Sequence, residues 1–211
     1  MDLFTYYRST SSYRVRIALA LKGLDFNAIP VNLIAGGGEH RTPQYRALNP
    51  QGRVPALRLD GGEVITQSPA IIEYLEDVHP EPPLLAADPV LRARQRAVAA
   101  LIGCDVHPLH NVSVLNRLRG LGHDESVVTE WIGHWITDGL AAVEQLIEDA
   151  AFCFGESPSV ADVYLLPQLY AARRFNVDLT SCPRIGRVET HALHHPAFRV
   201  AHPDAQPDKP D

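Results

Sequence analysis

The sequence has little of several features that would assign it to a special class of protein. Only three cysteines occur, Cys104, Cys153 and Cys182, and they form no Cys-x-x-Cys pair. An odd number of widely spaced cysteines predicts reduced thiols rather than a disulfide framework. No apolar run approaches the length of a membrane span, and the first residues lack a basic segment followed by an apolar one. We therefore expect a cytoplasmic protein without a membrane partner.

Basic charge is also scarce. The net charge is −6 and the isoelectric point lies near 5.9, which argues against a nucleic-acid partner. Hydrophobic residues make up 45% of the chain and charged residues 21%, which is the composition of a folded globular protein. A chain of 211 residues can form one large domain or two small ones.

The two halves of the chain follow different patterns. In the first half, short strand patterns alternate with helical ones in the order βαβ, a helical turn, a β-hairpin and a final helix. A proline-rich segment at 79–83 predicts a linker, and beyond it apolar residues recur at helical spacing. We predict an α/β domain over residues 1–80, a linker over 81–87 and an all-helical domain over 88–211.

Residues 8–14 (Arg-Ser-Thr-Ser-Ser-Tyr-Arg) lie between a predicted strand at 3–7 and a predicted helix that begins at Val15 and ends before Gly23. Hydroxyl groups on such a strand-to-helix turn lie where unpaired N–H groups and the positive end of a helix converge. This environment can hold an anion, including a thiolate. Serines in this position also serve as ordinary helix N-caps, so the pattern alone leaves both interpretations open.

Two further segments point to ligand binding. Val54-Pro55 opens a predicted strand, and a cis peptide there would leave the Val54 N–H and C=O free to pair with an extended ligand, whereas a trans edge proline would be purely structural. Gln67-Ser68-Pro69 predicts a helix with Ser68 as N-cap, where a carboxylate can bind. A plain N-cap is the alternative there.

Together these segments resemble the zeta class of the glutathione transferase family. The resemblance covers nearly the whole chain and rests on the following segments: residues 7–19, 47–50, 54–55, 67–75, 108–111, 161–162 and 174–179. It implies a thioredoxin-like N-terminal domain, an all-α C-terminal domain and the tripeptide thiol glutathione as cofactor.

The resemblance also implies roles for residues of the first half. Ser9 would hydrogen-bond the thiolate, with Thr10 and Ser11 beside it. The zeta pattern usually has Ser-Ser-Cys at these positions, whereas this chain has Ser-Thr-Ser. The absence of the cysteine favours stabilisation of the thiolate by hydroxyls and the helix dipole. Val54, at a cis bond to Pro55, would pair with the backbone of the glutathione cysteine. Gln67 and Ser68 would hold the γ-glutamyl end, and His40 would contact the glycine carboxylate.

The implied substrate contacts come from both halves. Arg8 and Arg174 are the candidates for the substrate carboxylates, since a guanidinium matches a carboxylate in a bidentate fork. Arg173, although adjacent to Arg174, would point elsewhere on a helix. His110 and its neighbour Asn111 would line the pocket. His-x-x-His at 107–110 also invites a metal interpretation, but no third ligand is specified nearby, so we expect no metal.

The implied activity is the glutathione-dependent cis–trans isomerisation of maleylacetoacetate to fumarylacetoacetate in tyrosine and phenylalanine breakdown, by reversible addition of the thiolate. Alternatives are isomerisation of maleylpyruvate in gentisate breakdown, a general transferase or dehalogenase activity, and a non-enzymatic scaffold, which would not need an intact thiol site. An arginine after Asn111 would favour a second carboxylate, and Val112 there favours maleylacetoacetate. The family also suggests a homodimer, with residues 97–105 as a possible interface.

Overall fold

The computed structural model describes residues 1–210, and its contacts divide the chain into two units. One unit comprises Met1–Leu84 together with the residues from His194 onward, and the other comprises Leu85–Leu193. The division after Leu84 falls within the predicted linker. The residues from His194 onward, which the sequence analysis assigned to the helical domain, pack instead with the first unit, and Asp211 lies outside the described residues.

The order of elements follows the predicted α/β-then-helical pattern. In chain order they are β1 (Asp2–Thr5), α1 (Thr10–Leu21), β2 (Asn27–Pro30), α2 (Pro43–Leu48), β3 (Ala56–Arg58), β4 (Val64–Thr66), α3 (Ser68–Val78), α4 (Pro89–Ala100), α5 (Val112–Gly120), α6 (Glu125–Leu146), α7 (Val160–Arg174), α8 (Pro183–His194) and α9 (Pro196–Ala201). The first unit thus has a thioredoxin-like βαβ–ββα arrangement and the second is helical, as predicted.

The sheet of the first unit has the strand order β2-β1-β3-β4. Strand β1 pairs in parallel with β2, and β3 is antiparallel to both β1 and β4. Phe4 lies opposite Ala56, and Ala56 lies opposite Thr66. Because of this register, the C-terminal ends of β1, β2 and β4 and the start of β3 share one edge of the sheet.

Helix α1 begins five residues earlier than the sequence predicts, at Thr10 rather than Val15. Ser9 is its N-cap, since the Ser9 side chain accepts a hydrogen bond from the Ser12 N–H. The connecting turn is therefore shorter than predicted, and most of the hydroxyl cluster forms the first helical turn. At its other end α1 closes as expected at Gly23, which has a φ of +64°.

A buried lysine at the end of α1 is paired within the first unit. The side chain of Lys22 is fully buried, and its Nζ lies 2.7 Å from Glu76 Oε2 and 2.6 Å from the carbonyl oxygen of His79. Removing one partner from such a buried pair is costly, because the remaining charge stays desolvated. Arg16 is also buried, at 1% exposure, and α1 packs against α3 and α9.

In the helical unit the regular α-helix is interrupted before Pro108. Helix α4 is followed by a wider π-type segment, Leu101–Val106, and a 3-10 turn, His107–His110. Residues 89–120 together form the one helical stretch among the described residues that is long and apolar enough to cross a membrane, and 33% of its most apolar window is buried. The core helices of soluble proteins can be equally long and apolar.

A capping box formed by Ser159 and Asp162 is present at the start of α7. The Asp162 carboxylate accepts hydrogen bonds from the Ser159 N–H and the Ser159 hydroxyl, each at 2.8 Å, and from the Cys153 N–H at 2.8 Å. Burial raises the pKa of Asp162, while the donated hydrogen bonds oppose that shift. The carboxylate therefore joins the loop before α7 to its first turn.

Candidate active site

One edge of the sheet brings together the ligand-binding segments predicted from the first half. The register places Phe4, Ala56 and Thr66 beside one another near this edge. Ser9 follows β1, Val54 precedes β3, and Gln67 follows β4. Three segments that are far apart in the sequence therefore meet at the same edge of the sheet.

Ser9 provides a half-buried hydroxyl at the positive end of α1. Its Oγ accepts a hydrogen bond from the Ser12 N–H at 3.2 Å, and its own N–H donates to the Tyr6 carbonyl oxygen at 3.0 Å. The N–H groups of Thr10 and Ser11, as the first of the helix, lack intrahelical acceptors. A donor hydroxyl and free N–H groups at a helix start are suited to stabilising a thiolate.

The Ser12 hydroxyl is a feature that the sequence analysis did not single out. Its Oγ is buried and makes no hydrogen bond to the described residues.

The other two hydroxyl residues of the first helical turn differ in their access to a ligand, since Thr10 is 9% exposed and Ser11 is half-exposed. Helical periodicity separates them, because consecutive residues of a helix point in directions about 100° apart.

Arg8 lies next to Ser9 and carries a charge that no anion in the first unit neutralises. Its Cζ lies 5.9 Å from the ring centroids of both Tyr6 and Tyr7. Within residues 1–210 its guanidinium forms no hydrogen bond or ion pair. The aromatic rings hold the cation without using its N–H groups, which leaves these groups available for a carboxylate.

The Val54-Pro55 peptide bond is cis, as the resemblance implies. Val54 is buried, and neither its N–H nor its C=O forms a backbone hydrogen bond within the part of the chain that the structure describes. Buried peptide groups are nearly always paired, so this one is suited to an extended ligand backbone.

Two residues that the sequence analysis missed hold the neighbouring peptide group in place. The Arg53 carbonyl oxygen accepts hydrogen bonds from the Tyr45 hydroxyl and from Asn49 Nδ2, both at 2.7 Å. Asn49 is 3% exposed, and burial raises the pKa of Tyr45, which keeps its phenol protonated as a donor. Asn49 lies in the segment 47–50, which the sequence analysis used for the resemblance without giving any of its residues a role.

Helix α3 begins one residue earlier than the sequence predicts, at Ser68 rather than Pro69, so Ser68 is not the N-cap. Gln67 rather than Ser68 precedes the first residue of α3, with a φ of +73°. Such backbone costs about 1–3 kcal/mol for a non-glycine residue and is concentrated at ligand sites. The Gln67 side chain is exposed and donates to Gln51 Oε1 at 2.7 Å, which adds Gln51 to the candidate residues. Ser68 is buried at the first helical position.

His40 lies in a tight turn, Glu39–Arg41, after the glycine-rich loop. Its ring packs over Gly38, whose φ of +95° and close approach to the imidazole both require glycine. His40 Nδ1 is buried without a hydrogen-bond partner among the described residues. Burial lowers the pKa of His40, and the cations of Arg41 and Arg46 lower it further. The imidazole is therefore neutral at pH 7.

The remaining candidates lie in the helical unit. His110 is 6% exposed, and its Nε2 lies 3.1 Å from the Gln168 side chain. Asn111 is the N-cap of α5, since its Oδ1 accepts from the Ser113 N–H at 3.1 Å. This cap occupies the Asn111 oxygen, although its amide N–H groups are not used by the cap.

The two adjacent arginines at the end of α7 have different partners. Arg173 forms an ion pair with Glu189 at 2.6 Å. Arg174 is exposed, and its Cζ lies 4.5 Å from the centroid of the Phe175 ring. Among residues 1–210, no group of three His, Cys, Asp or Glu side chains could hold a metal ion.

A free buried peptide group, a helix start at Ser68 and a hydroxyl at the start of α1 fit a small acidic peptide that carries a thiol. This set on a thioredoxin-like sheet defines a glutathione-binding protein. The chain belongs to the glutathione S-transferase family: residues 8–78 match the family described as "Glutathione S-transferase, N-terminal domain", and the full-length relatives below extend the match to the whole chain.

Within that family the chain is similar to isomerases of the zeta class. It is 69% identical over 210 residues to maleylacetoacetate isomerase from Pseudomonas aeruginosa, covering 100% of this chain and 99% of the relative. A holo structure of maleylpyruvate isomerase, described as a bacterial zeta-class glutathione S-transferase, is 46% identical with a TM-score of 0.95 over 100% of both chains. Maleylacetoacetate isomerase from Anaeromyxobacter dehalogenans with bound GSH is 42% identical, with a TM-score of 0.89, and the match covers 99% of this chain and 97% of that one.

Proposed function

We propose that this protein is a glutathione-dependent cis–trans isomerase that converts maleylacetoacetate to fumarylacetoacetate. The observation that carries this proposal is the 69% identity over the full chain to an enzyme of that name. The site supports it, because a scaffold without catalysis has no need of Ser9, Val54 and Gln67 at one sheet edge.

The chain contributes to the reaction by holding a thiolate and the charges of the substrate. When bound, glutathione supplies a thiolate that adds to the cis double bond and leaves after rotation about the resulting single bond. The Ser9 hydroxyl donates a hydrogen bond to the sulfur, and the N–H groups of Thr10 and Ser11 add positive potential from the helix end. These groups favour the ionised thiol at neutral pH.

The binding of glutathione follows from the free groups at the sheet edge. The Val54 N–H and C=O pair with the backbone of the glutathione cysteine, as an added strand pairs with a sheet. Gln67 and Ser68 at the start of α3 hold the γ-glutamyl carboxylate. His40 donates to the glycine carboxylate, in a loop whose neighbouring Arg41 and Arg46 add positive charge.

The substrate carboxylates are held by arginines. Arg8 is our first candidate, because it precedes Ser9 in the chain and its guanidinium has no hydrogen bond or ion pair within the described residues. Arg174 is the second, on the basis of its exposure and the resemblance. The resemblance gives His110, whose Nε2 lies 3.1 Å from the Gln168 side chain, and Asn111 the role of lining the substrate pocket.

Maleylpyruvate is the second candidate substrate, because a maleylpyruvate isomerase has a TM-score of 0.95 to this chain. The two substrates share the cis-enedione acid and differ at the far end. Val112, the first residue of α5, is 63% exposed and apolar, so this position supplies no cation for a further carboxylate. That favours maleylacetoacetate.

The experiment is the conversion of maleylacetone, a stable surrogate, to fumarylacetone followed by NMR, with and without glutathione. Maleylpyruvate is tested in parallel. Rapid conversion that requires glutathione supports the isomerase, and the ratio of the two kcat/KM values identifies the preferred substrate. If glutathione binds and neither substrate is converted, the proposal is wrong and a conjugating transferase replaces it.

We also propose that two copies of the chain form a dimer in the cytoplasm. The stretch at 89–120 is apolar, yet 33% of its most apolar window is buried within the chain. Val90 is 69% exposed, and Ala97, Ala100 and Cys104 are exposed as well. Contact between copies along residues 97–105 would remove this apolar surface from water.

A further inference from the structure

The backbone N–H and C=O of Tyr7, two residues before Ser9, are both bonded to charged side chains from outside the turn. Its N–H donates to Asp208 Oδ2 at 2.8 Å, and its carbonyl oxygen accepts from Arg16 Nη2 at 2.8 Å. The Tyr6 carbonyl oxygen accepts from the Ser9 N–H at 3.0 Å and from Arg16 Nη1 at 3.4 Å. The backbone that leads into Ser9 is therefore fixed by a carboxylate and a guanidinium.

The guanidinium is itself fixed by the end of the chain. Arg16 is buried, and its Nε donates to the Ala201 carbonyl oxygen at 3.0 Å, while Nη1 also donates to Thr5 Oγ1 at 3.1 Å. Ala201 is the last residue of α9, which packs against α1. The planar fork of an arginine holds several oxygens in one geometry, so a shift of Ala201 would be transmitted to Tyr7.

The segment that carries Asp208 is ordered by its own hydrogen bonds. Gln206 Nε2 donates to the carbonyl oxygens of Val200 and His202, both at 2.9 Å. The Ala205 N–H donates to the His202 carbonyl oxygen at 3.0 Å within a 3-10 turn, Pro203–Ala205. These bonds return the chain toward the turn, which allows a residue near the end of the sequence to reach Tyr7.

We propose that two residues near the end of the chain position Ser9, with Asp208 acting on the Tyr7 N–H and Ala201 acting on the Tyr7 carbonyl through Arg16. This inference rests on the proposed role of Ser9 as the donor to the thiolate. Asp208 is a positioning residue, because it touches the backbone of the turn rather than the reacting atoms. A displacement of about 1 Å at a catalytic group can cost about a hundredfold in rate, so this hydrogen bond matters to turnover.

The test compares three variants of the full-length protein. Asp208→Ala removes the acceptor, and Asp208→Asn keeps an acceptor oxygen but loses the charge. Asp204→Asn is the control, because it removes a carboxylate charge nearby, where Asp204 pairs with Lys209 at 3.1 Å. We expect Asp208→Ala to lower kcat about ten- to a hundredfold and to move the pH profile of kcat/KM upward, toward that of a free thiol. Asp208→Asn should recover most of the activity, and Asp204→Asn should match the wild type.

Three results would overturn the proposal. The first is an Asp208→Ala variant whose kcat and pH profile equal those of Asp204→Asn, even if its unfolding temperature is lower. The second is an Asp208→Asn variant as impaired as Asp208→Ala. The third is a downward shift of the profile in both Asp208 variants, which would show that the carboxylate acts through its charge on the thiolate.

Ser9→Ala separates this inference from the proposed function. A fully active Ser9→Ala variant would contradict the role of Ser9 itself, whatever the segment does. An impaired Ser9→Ala variant beside a normal Asp208→Ala variant would remove only the inference about the segment.

Discussion

The Ser9 Oγ accepts a hydrogen bond from the Ser12 N–H at 3.2 Å. This bond makes Ser9 the N-cap of α1 and uses an acceptor position of its hydroxyl. The hydroxyl proton is not used by this bond and can be donated to a thiolate. In the proposed reaction, one oxygen atom would serve both as the cap and as the donor to the thiolate.

We expect Ser9→Ala to lower kcat by about two to three orders of magnitude, as the loss of a donor to a developing anion does in other enzymes. The thiol pKa of bound glutathione, followed by thiolate absorbance, should rise. The substitution also removes a cap worth about 1 kcal/mol. Asp88→Ala, which removes the cap of α4 that accepts from the Leu91 N–H, is the control for that loss and should leave kcat unchanged.

Ser11→Ala separates the two hydroxyls of the first turn. Ser11 is half-exposed and lies after the cap, so its loss should lower kcat less than the loss of Ser9 does. Steady-state kinetics of both variants at the same pH give the comparison. A dead Ser11→Ala variant beside an active Ser9→Ala variant would reverse the assignment within the turn.

Asn49→Ala should raise the KM for glutathione more than it lowers kcat. The Asn49 amide and the Tyr45 hydroxyl both donate to the Arg53 carbonyl oxygen, so the variant loosens the peptide group that precedes Val54. Losing such a buried hydrogen bond also costs about 1–3 kcal/mol of stability. Kinetics at varied glutathione measure the first effect. Asn27→Ala, which removes an exposed amide bonded to Asp2, should change neither constant.

His40 gives a pH dependence whose direction follows from its environment. Burial and two nearby cations hold the pKa of His40 below its ordinary value of about 6.5. A bound glycine carboxylate favours the protonated form, so glutathione affinity should increase as the pH falls from about 7 to about 5. Calorimetric titration of wild type and His40→Asn measures this, and the His40-dependent increase should be absent from the variant.

The same shift has an effect on the stability of the unliganded protein. Because the pKa of His40 is lower in the folded than in the unfolded state, the unfolded chain binds the proton first. His40 therefore reduces stability as the pH falls through the ordinary histidine range toward the lowered folded pKa. Unfolding midpoints of His40→Asn should fall less over that range, and equal falls would contradict the effect.

Asp162→Ala should destabilise the helical unit by about 3 kcal/mol, since it removes a helix cap and leaves the buried Cys153 N–H unpaired. Asp124→Ala removes an exposed cap of the same kind at α6, which accepts from the Ser126 and Val127 N–H groups, and should cost about 1 kcal/mol. Thermal unfolding of both variants gives the comparison. Equal losses would show that burial of the cap adds nothing.

The proposed dimer predicts a change of mass in solution. Ala97→Glu places a charge on the exposed apolar face of α4 and should shift the protein from dimer to monomer in analytical ultracentrifugation. Thr137→Glu, at an exposed position of α6, is the control and should stay dimeric. A wild-type protein that sediments as a monomer would contradict the proposal directly.

Several elements of the fold could be predicted from the sequence because their signals are local. Asp60-Gly61-Gly62 predicts the hairpin, and the Ser159–Asp162 spacing predicts the cap of α7. Both depend on hydrogen bonds within a few residues. The start of α1 was misplaced, because any of four consecutive hydroxyl residues could serve as N-cap and local preference does not choose among them.

The sequence by itself determined which chemical groups are available: the hydroxyls after the first strand, a Val54-Pro55 bond before a strand and a helix start near Ser68, each indicated by neighbours along the chain. The tertiary structure decided which of these groups act together and what holds them. The register of β1, β3 and β4 brings the segments to one edge. The Asp208–Tyr7 hydrogen bond spans 201 residues. Contacts at such separation depend on packing of the whole unit, and no local periodicity or propensity encodes them.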